Sequence, residues 1–482
     1  MEAKQMQITA ETDIKTAASE WNHPRDWPRR DLRTPSECFV HEGAELETLQ
    51  LRALQERFEE LSQKVPAVRD LAARQGVSQI TTLNDILPIL FTHTVYKSYP
   101  LLLIEKKRFD HLTRWLSKFS TVDMTNVKLN NPQTIDEWLD QLEAATGLWI
   151  VHSSGTTGKL SFLPRGNEDL ENYKNGLYMM LEGTTGINFH EEHLPVFFPG
   201  FKGGRQLAQR VISYFGPMIA GSPEEFHTAI PAFMSADFMS LAGRVKAAKA
   251  KGELGRLQLI RALVHNKGEL IKMKKNQPKY LKTFVENMLS EYAGKRIFFM
   301  GLWQVVIETA LAGQAMGMKR IFTPDSGIAT GGGMKGYQPP DNWYEKTCEF
   351  YGVDEIQDNY GMTEMNGAGC PSCSENHYHI FPWFIPFVLD PETGKPYPRE
   401  GTQTGRFAFY DLLSDTYWGG FITGDEVTIH WNTCKCGWKG PWLEKKIQRY
   451  SEKQGGDDKI SCAGVQTAYD DFIDFLMDEE EN

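Results

Sequence analysis

The chain has 482 residues, 41% of them hydrophobic and 24% charged, with a formal net charge of −11. That length accommodates a large core and at least two domains, the composition is that of a soluble globular enzyme, and the acidic balance argues against general nucleic-acid binding. No apolar run is long enough to span a bilayer and Met1-Glu2-Ala3-Lys4-Gln5 opens no signal-peptide core, so the expected location is cytoplasmic.

Residues 1–45 are polar and broken by Pro24, Pro28 and Pro35, which predicts an irregular leader. From Glu45 to Gln75, leucines at helical spacing (Leu49, Leu51, Leu54, Leu61) predict two helices split at Pro66. Short helices follow over Thr82–Trp115, with Asn84 or Asp85 as an N-cap.

The stretch Leu148–Pro164 concentrates chemical groups. Leu148–Val151 reads as a buried strand, and Leu160–Leu163 before Pro164 as a second, so the pattern is strand, loop, strand. Between them, Gly155 and Gly158 let the backbone approach a ligand, Ser153, Ser154, Thr156 and Thr157 supply hydroxyl donors, and Lys159 supplies a point charge suited to phosphate. The spacing is not that of a Walker A loop, which needs four residues between its glycines and a helix straight after. Taken alone, such a loop is equally well a solvated hairpin.

Beyond it, Asn167–Leu181 reads as a helix and Leu194–Pro199 as a strand. Phe198–Gly204 then reads as a glycine-rich loop opening a helix around Gln206–Tyr214. Residues 244–282 carry twelve Lys or Arg against Glu253 and Glu269, a net of +10 in an acidic chain. A solvated helical face explains such a run, and it is also where an acidic partner would dock. Arg296–Met300 is a predicted strand, Leu302–Met316 a helix and Arg320–Thr323 a strand, followed by a second glycine loop, Gly331-Gly332-Gly333-Met334-Lys335-Gly336. The alternation indicates an α/β architecture.

Two further motifs complete a set. The chain reads Asp-Asn-Tyr-Gly-Met-Thr-Glu-Met from Asp358 and Phe-Ile-Thr-Gly-Asp-Glu-Val from Phe421. With the loop at Ser153 in front of them, this order resembles the adenylate-forming, acyl-activating superfamily, over roughly residues 80–476. The glycine triplet followed by Met334-Lys335 and the cysteine-rich region between the motifs are similar to the phenylacetate-CoA-ligase-like and LuxE-like acyl-protein synthetases.

The resemblance implies a large adenylate-forming domain of layered β-sheets and surrounding helices over residues 1–447. It would comprise a leader and helical entry segment (1–125) and a nucleotide-binding core (130–447), with 448–482 as a hinge and residual helix of a truncated C-terminal subdomain. It further implies that Ser153, Ser154, Gly155, Thr156, Thr157, Gly158 and Lys159 hold the ATP phosphates. Gly332, Gly333 and Met334 would let adenine lie against backbone, with Tyr360, flanked by Asn359 and Gly361, stacking on the base. Thr363 would bond the α-phosphate, Glu364 would ligate Mg²⁺, and Asp425 would accept from the ribose hydroxyls. The implied chemistry is attack of a carboxylate on the α-phosphorus to give an acyl-adenylate, then transfer of the acyl group to a thiol.

The chain departs from the family pattern at its end. The family's hinge arginine before paired acids is replaced by Gln454-Gly455-Gly456-Asp457-Asp458, the nearest arginine is Arg449, and the lysine-bearing remainder of the C-terminal domain does not follow. Lys335, Lys159 or Lys459 would then substitute for that lysine, or another chain would complete the site, or the protein would carry out only part of the usual cycle. Cys462 lies in this hinge, and its resemblance to the LuxE-like acyl acceptor makes it a candidate nucleophile, with a buried, inert thiol as the alternative. The acceptor thiol would be coenzyme A, a carrier-protein phosphopantetheine or Cys462 itself.

The seven cysteines read as thiols or metal ligands before disulfides. Cys370 and Cys373, with Cys434 and Cys436, form two knuckles that predict a structural Zn²⁺ site, with His377, His379 or His430 near enough in sequence to replace one ligand. The substrate is expected to be a small-molecule carboxylic acid bound near Phe198, Phe201 and Trp303, with a carrier protein or partner subunit at residues 244–282. The alternatives are an amine- or other-acceptor ligase of the same superfamily, adenylation of a non-carboxylate oxyanion on the same fold, or a non-catalytic nucleotide-binding subunit.

Overall fold

The computed structural model describes residue 27 and residues 34–153, 159–252, 267–334 and 337–450. The entry segment folds as the leucine spacing predicts. Helix α1 (Gly43–Lys64) buries Leu46, Leu54, Phe58 and Leu61, and α2 (Pro66–Gln75) follows directly. Val65 between them is extended because the following proline disfavours helical backbone, while Pro66 itself is well placed in a first turn. The short 3₁₀ segment Leu83–Ile89 is capped by Thr82 rather than Asn84 or Asp85. Asp85 instead supplies the third-residue carboxylate of a capping box, accepting from Thr82 N at 2.8 Å.

Strand β1 (Phe91–Thr92), helices α3 (Phe109–Ser117) and α4 (Ile135–Thr146), and the antiparallel hairpin of β2 (Trp149–His152) and β3 (Phe162–Arg165) lead into the core. Helix α5 (Asn167–Thr185) precedes β4 (Val196–Gly204), α6 (Leu207–Ala220), β5 (Phe226–Met234), α7 (Ala236–Lys251) and α8 (Lys267–Tyr292). Next come β6 (Phe298–Leu302), α9 (Trp303–Ala315), β7 (Gly327–Gly331), α10 (Trp343–Tyr351), β8 (Gln357–Tyr360) and β9 (Cys370–Pro371). These strands form a six-stranded sheet in the order β5-β4-β6-β7-β8-β9, parallel except at β9.

Two expectations change here. Phe198–Gly204 is strand rather than loop, because Phe201, Gly203 and Gly204 pair with β5 across register shifts that accommodate Pro199. Arg320–Thr323 is not a strand: the N–H groups of Arg320, Ile321 and Phe322 instead donate to the carbonyls of Glu349, Phe350 and Tyr351 at the end of α10.

The C-terminal part of the described chain is antiparallel. Strands β10 (Tyr378–His379), β11 (Phe384–Leu389), β12 (Thr402–Asp411), β13 (Gly420–His430), β14 (Trp442–Leu443) and β15 (Gln448–Arg449) join β1 in a seven-stranded sheet. The parallel sheet is buried on both faces, and neighbouring residues point into different cores. Phe198, Phe298 and Ala329 pack with the antiparallel sheet, whereas Phe197, Phe299 and Ile328 pack with the helices of the other side. The architecture is mixed α/β, as the alternation of elements predicts, and no helix among the described residues is long and apolar enough to cross a membrane.

Candidate active site

The β2–β3 hairpin is closed at its neck by Ser153. Its N–H donates to Ser161 O at 3.1 Å, and its Oγ accepts from Ser161 N at 3.0 Å. Lys159 lies at the other side of the neck, its Nζ donating to Tyr99 O at 2.8 Å. Ser154, Gly155, Thr156, Thr157 and Gly158, the tip of the expected phosphate loop, lie outside the described residues, as do Lys335, Lys459 and Cys462. Sequence reasoning passed over two residues of this hairpin. Buried His152 places Nδ1 2.8 Å from Ser153 O, and burial lowers its imidazole to about 4, so the ring is neutral at pH 7. Fully buried Arg165, at the end of β3, donates from Nη2 to the carbonyls of Thr363 and Met365, both at 3.0 Å. It ties the hairpin to the Tyr-Gly-Met-Thr-Glu turn. A polar residue closing an apolar strand is the signal that marked it.

Parallel pairing of β7 with β8 brings the glycine triplet beside Asn359, whose Nδ2 donates to Thr330 O at 3.0 Å. Gly332 and Gly333 leave the strand at φ +80° and +64°, a region side-chain-bearing residues rarely adopt, and Met334 follows them. At Gly361 a Cβ would meet Ala368 O at 2.9 Å, so the turn after β8 closes only around glycine.

Tyr360, at the end of β8, reaches across to the antiparallel sheet. Its hydroxyl donates to Asp425 Oδ2 at 2.8 Å, while Arg449 Nε lies 3.2 Å from Asp425 Oδ1. Pairing of β13 with β15 sets Asp425 opposite Arg449. Burial and the adjacent Asp425 carboxylate hold the Tyr360 phenol protonated, well above the ordinary tyrosine range. Glu364 is half-buried; burial raises its carboxyl, opposed by Lys97, Arg449 and Arg165. A bound cation would favour the charged form.

A cavity of about 270 Å³ opens from these motifs into the fold. Gly332, Asn359 and Thr363 stand at one side of it, and its wall runs past Leu181, Phe198, Phe201, Ile212 and Ile230. Phe198 and Phe201 therefore face it as expected. Trp303 instead packs edge-on against Trp343 at 5.2 Å.

The cysteine knuckles converge, with one change of partner. Cys373, His379, Cys434 and Cys436 each offer a ligand atom, all within 4.8 Å of one another. Cys373 Sγ and Cys434 Sγ are 4.0 Å apart, Cys436 Sγ lies 3.3 Å from His379 Nε2, and Trp438 N donates to Cys436 Sγ at 3.5 Å. Cys370 is not a member: on β9 it pairs with Tyr360 and points into the hydrophobic core with no exposure. His377 approaches Cys434 at 3.3 Å, and His430 is stacked on Trp442 and paired with Glu444.

Residues 274–463 match the model of a family described as acyl-protein synthetase, LuxE. That stretch contains the glycine triplet, the Tyr360 and Asp425 motifs, the cysteine knuckles and Cys462. The match spans less than half of the 482-residue chain. No curated relative matches the sequence. Among solved structures, the chain is similar to an open conformation of 2-hydroxyisobutyryl-CoA ligase in complex with 2-HIB-AMP and CoA. The identity is 15%, over 86% of this chain and 71% of that one, with a TM-score of 0.49. It is also similar to a long-chain-fatty-acid-CoA ligase from Archaeoglobus fulgidus, at 13% identity over 62% of this chain and 50% of that one, with a TM-score of 0.34.

Proposed function

We propose that the cavity beside Tyr360 and Thr363 is where an apolar carboxylic acid meets ATP. The observation that carries this reading is the convergence of three separated motifs. Arg165 ties the phosphate-loop hairpin to the Thr363 turn, and Tyr360 ties that turn to Asp425. A carboxylate oxygen attacks the α-phosphorus, a new P–O bond forms, and the bond to the β-phosphate breaks to release pyrophosphate. The thiolate sulfur then attacks the acyl carbon, and AMP leaves with the electron pair of the broken C–O bond.

Gly332, Gly333, Met334, Asn359, Tyr360 and Gly361 would frame the base. Asp425, released from part of its present pairing, would take the ribose together with Arg449. Thr363, Lys159 and the loop Ser153–Gly158 would face the phosphates. Glu364 would hold Mg²⁺, which neutralises phosphate charge. Cys373, His379, Cys434 and Cys436 would hold Zn²⁺. Their three sulfurs and one imidazole suit that ion, and four protein ligands close the sphere, so its part is structural.

The acceptor is coenzyme A, a carrier phosphopantetheine or Cys462. A carrier protein or partner subunit would dock on residues 244–282, where Lys275, Lys279 and Lys282 are exposed. ATP–pyrophosphate exchange with a panel of acids tests the first half-reaction, and exchange with none of them would overturn the reading. Intact-protein mass after incubation with ATP and acid reports the second. An acyl adduct on Cys462 identifies the internal thiol, and its absence alongside acyl-CoA formation identifies the external one.

A further inference from the structure

The cavity wall is apolar over most of its extent, and among the described residues Glu308 is the one charged side chain on it. Glu308 lies on α9, one turn beyond Gln304, whose Nε2 donates to Glu308 Oε1 at 2.9 Å. Among the described residues no Lys, Arg or His pairs with it. Burial raises its carboxyl above the usual range, with Gln304 opposing. A carboxylate here costs solvation that a leucine would not, and that cost is offset only when a donor reaches it. A second acceptor on the wall has no donor at all: Gln209 Oε1, on the first turn of α6, is buried without a hydrogen-bond partner among the described residues. A carboxylate met by a single amide donor and an amide oxygen met by none, set in an apolar cavity, describe the complement of an apolar ligand that carries a donor.

We propose that the acid activated here bears a hydrogen-bond donor, a hydroxyl or a protonated amino group, on an otherwise apolar body, and that Glu308 selects it. The inference rests on the adenylation reading and adds the substrate class. A site built to bond a substrate O–H or N–H rejects the analogue that lacks it, because the protein acceptor is then left buried and unpaired.

The test is ATP–pyrophosphate exchange by the full chain with matched acids that differ at one carbon, bearing hydrogen, hydroxyl or amine. The expected result is a kcat/KM for one donor-bearing acid at least about tenfold above the unsubstituted acid. E308L should reverse that preference while moving the KM for ATP by less than about twofold. E308Q keeps volume and one acceptor. It should retain a hydroxyl preference and lose an amine preference, which separates the two donors. Thermal melting of both variants controls for folding. Exchange that runs with acids but is blind to the donor, or an E308L effect equal for all acids or confined to ATP, overturns this inference and leaves adenylation standing. Exchange with no acid overturns both.

Discussion

The parallel and antiparallel sheets contribute to the site in opposite ways. In the parallel sheet the relevant residues come where strands end. Gly332, Gly333 and Gly361 lie just past β7 and β8, where ladder hydrogen bonds run out: the first two turn at positive φ, and at Gly361 a Cβ would meet Ala368 O. In the antiparallel sheet Asp425 sits in the middle of an eleven-residue strand, flanked by β12 and β15. Asp425 is held by the β15 ladder at Arg449 and by its own N–H to Thr423 Oγ1, opposite a register shift in β12 between Arg406 and Ala408, whereas the glycines lie beyond their ladders. The fold therefore sets an adjustable floor against a fixed wall. Tyr360–Asp425 pins one to the other, and Arg165 pins the hairpin to the same turn.

The largest expected effect falls on the wall. Structural zinc sites are worth about 10–16 kcal/mol of apparent binding free energy, so chelation should lower the melting temperature sharply. C434S and H379A should lose the ion by elemental analysis, whereas C370S should retain one equivalent. Loss of the ion in C370S would return Cys370 to the ligand set. D425A comes next, because it removes the acceptor of the Tyr360 hydroxyl and the carboxylate 3.2 Å from Arg449 Nε. A loss of about 3 kcal/mol should accompany a KM for ATP raised at least about tenfold, and an unchanged KM would remove Asp425 from the nucleotide site.

R165M strips the donor from two carbonyls and should cost about 2–3 kcal/mol, with exchange lowered even where the protein remains folded. Full activity in a destabilised R165M protein would make that tie purely structural. Y360F deletes a single hydrogen bond of about 1 kcal/mol, so a roughly fivefold loss in ATP affinity is the expected scale. The smallest effect lies away from both sheets. Burial, then Glu191 and Glu37, raise the Glu182 carboxyl from 4.5 to about 7. The folded state therefore favours the protonated form, and the stability this contributes is complete below pH 4.5 and lost as pH rises through about 7. Melting temperature should fall as pH rises from 4.5 to about 7, and E182Q should flatten that slope; a slope unchanged in E182Q would assign it to another group.

What the amino-acid order determined alone was whatever depends on neighbours along the chain. Pro66 splits two helices because it constrains its own backbone and that of Val65. The apolar runs around the Ser153 loop form a hairpin, and the Tyr360 and Asp425 motifs lie in the stretch that matches the LuxE family model. What only the tertiary structure decided was which distant groups meet. Cys370 and Cys373 are equally plausible ligands by spacing, but Cys370 is turned into the core at β9, and pairing of β10 with β14 carries His379 to Cys436 instead. Arg165 and Glu308 gave no motif, since their roles come from carbonyls and cavity walls supplied by other elements. Local spacing specifies dihedral preferences and periodicity. Sheet pairing across sixty or more residues specifies distance and facing, and no single segment encodes those.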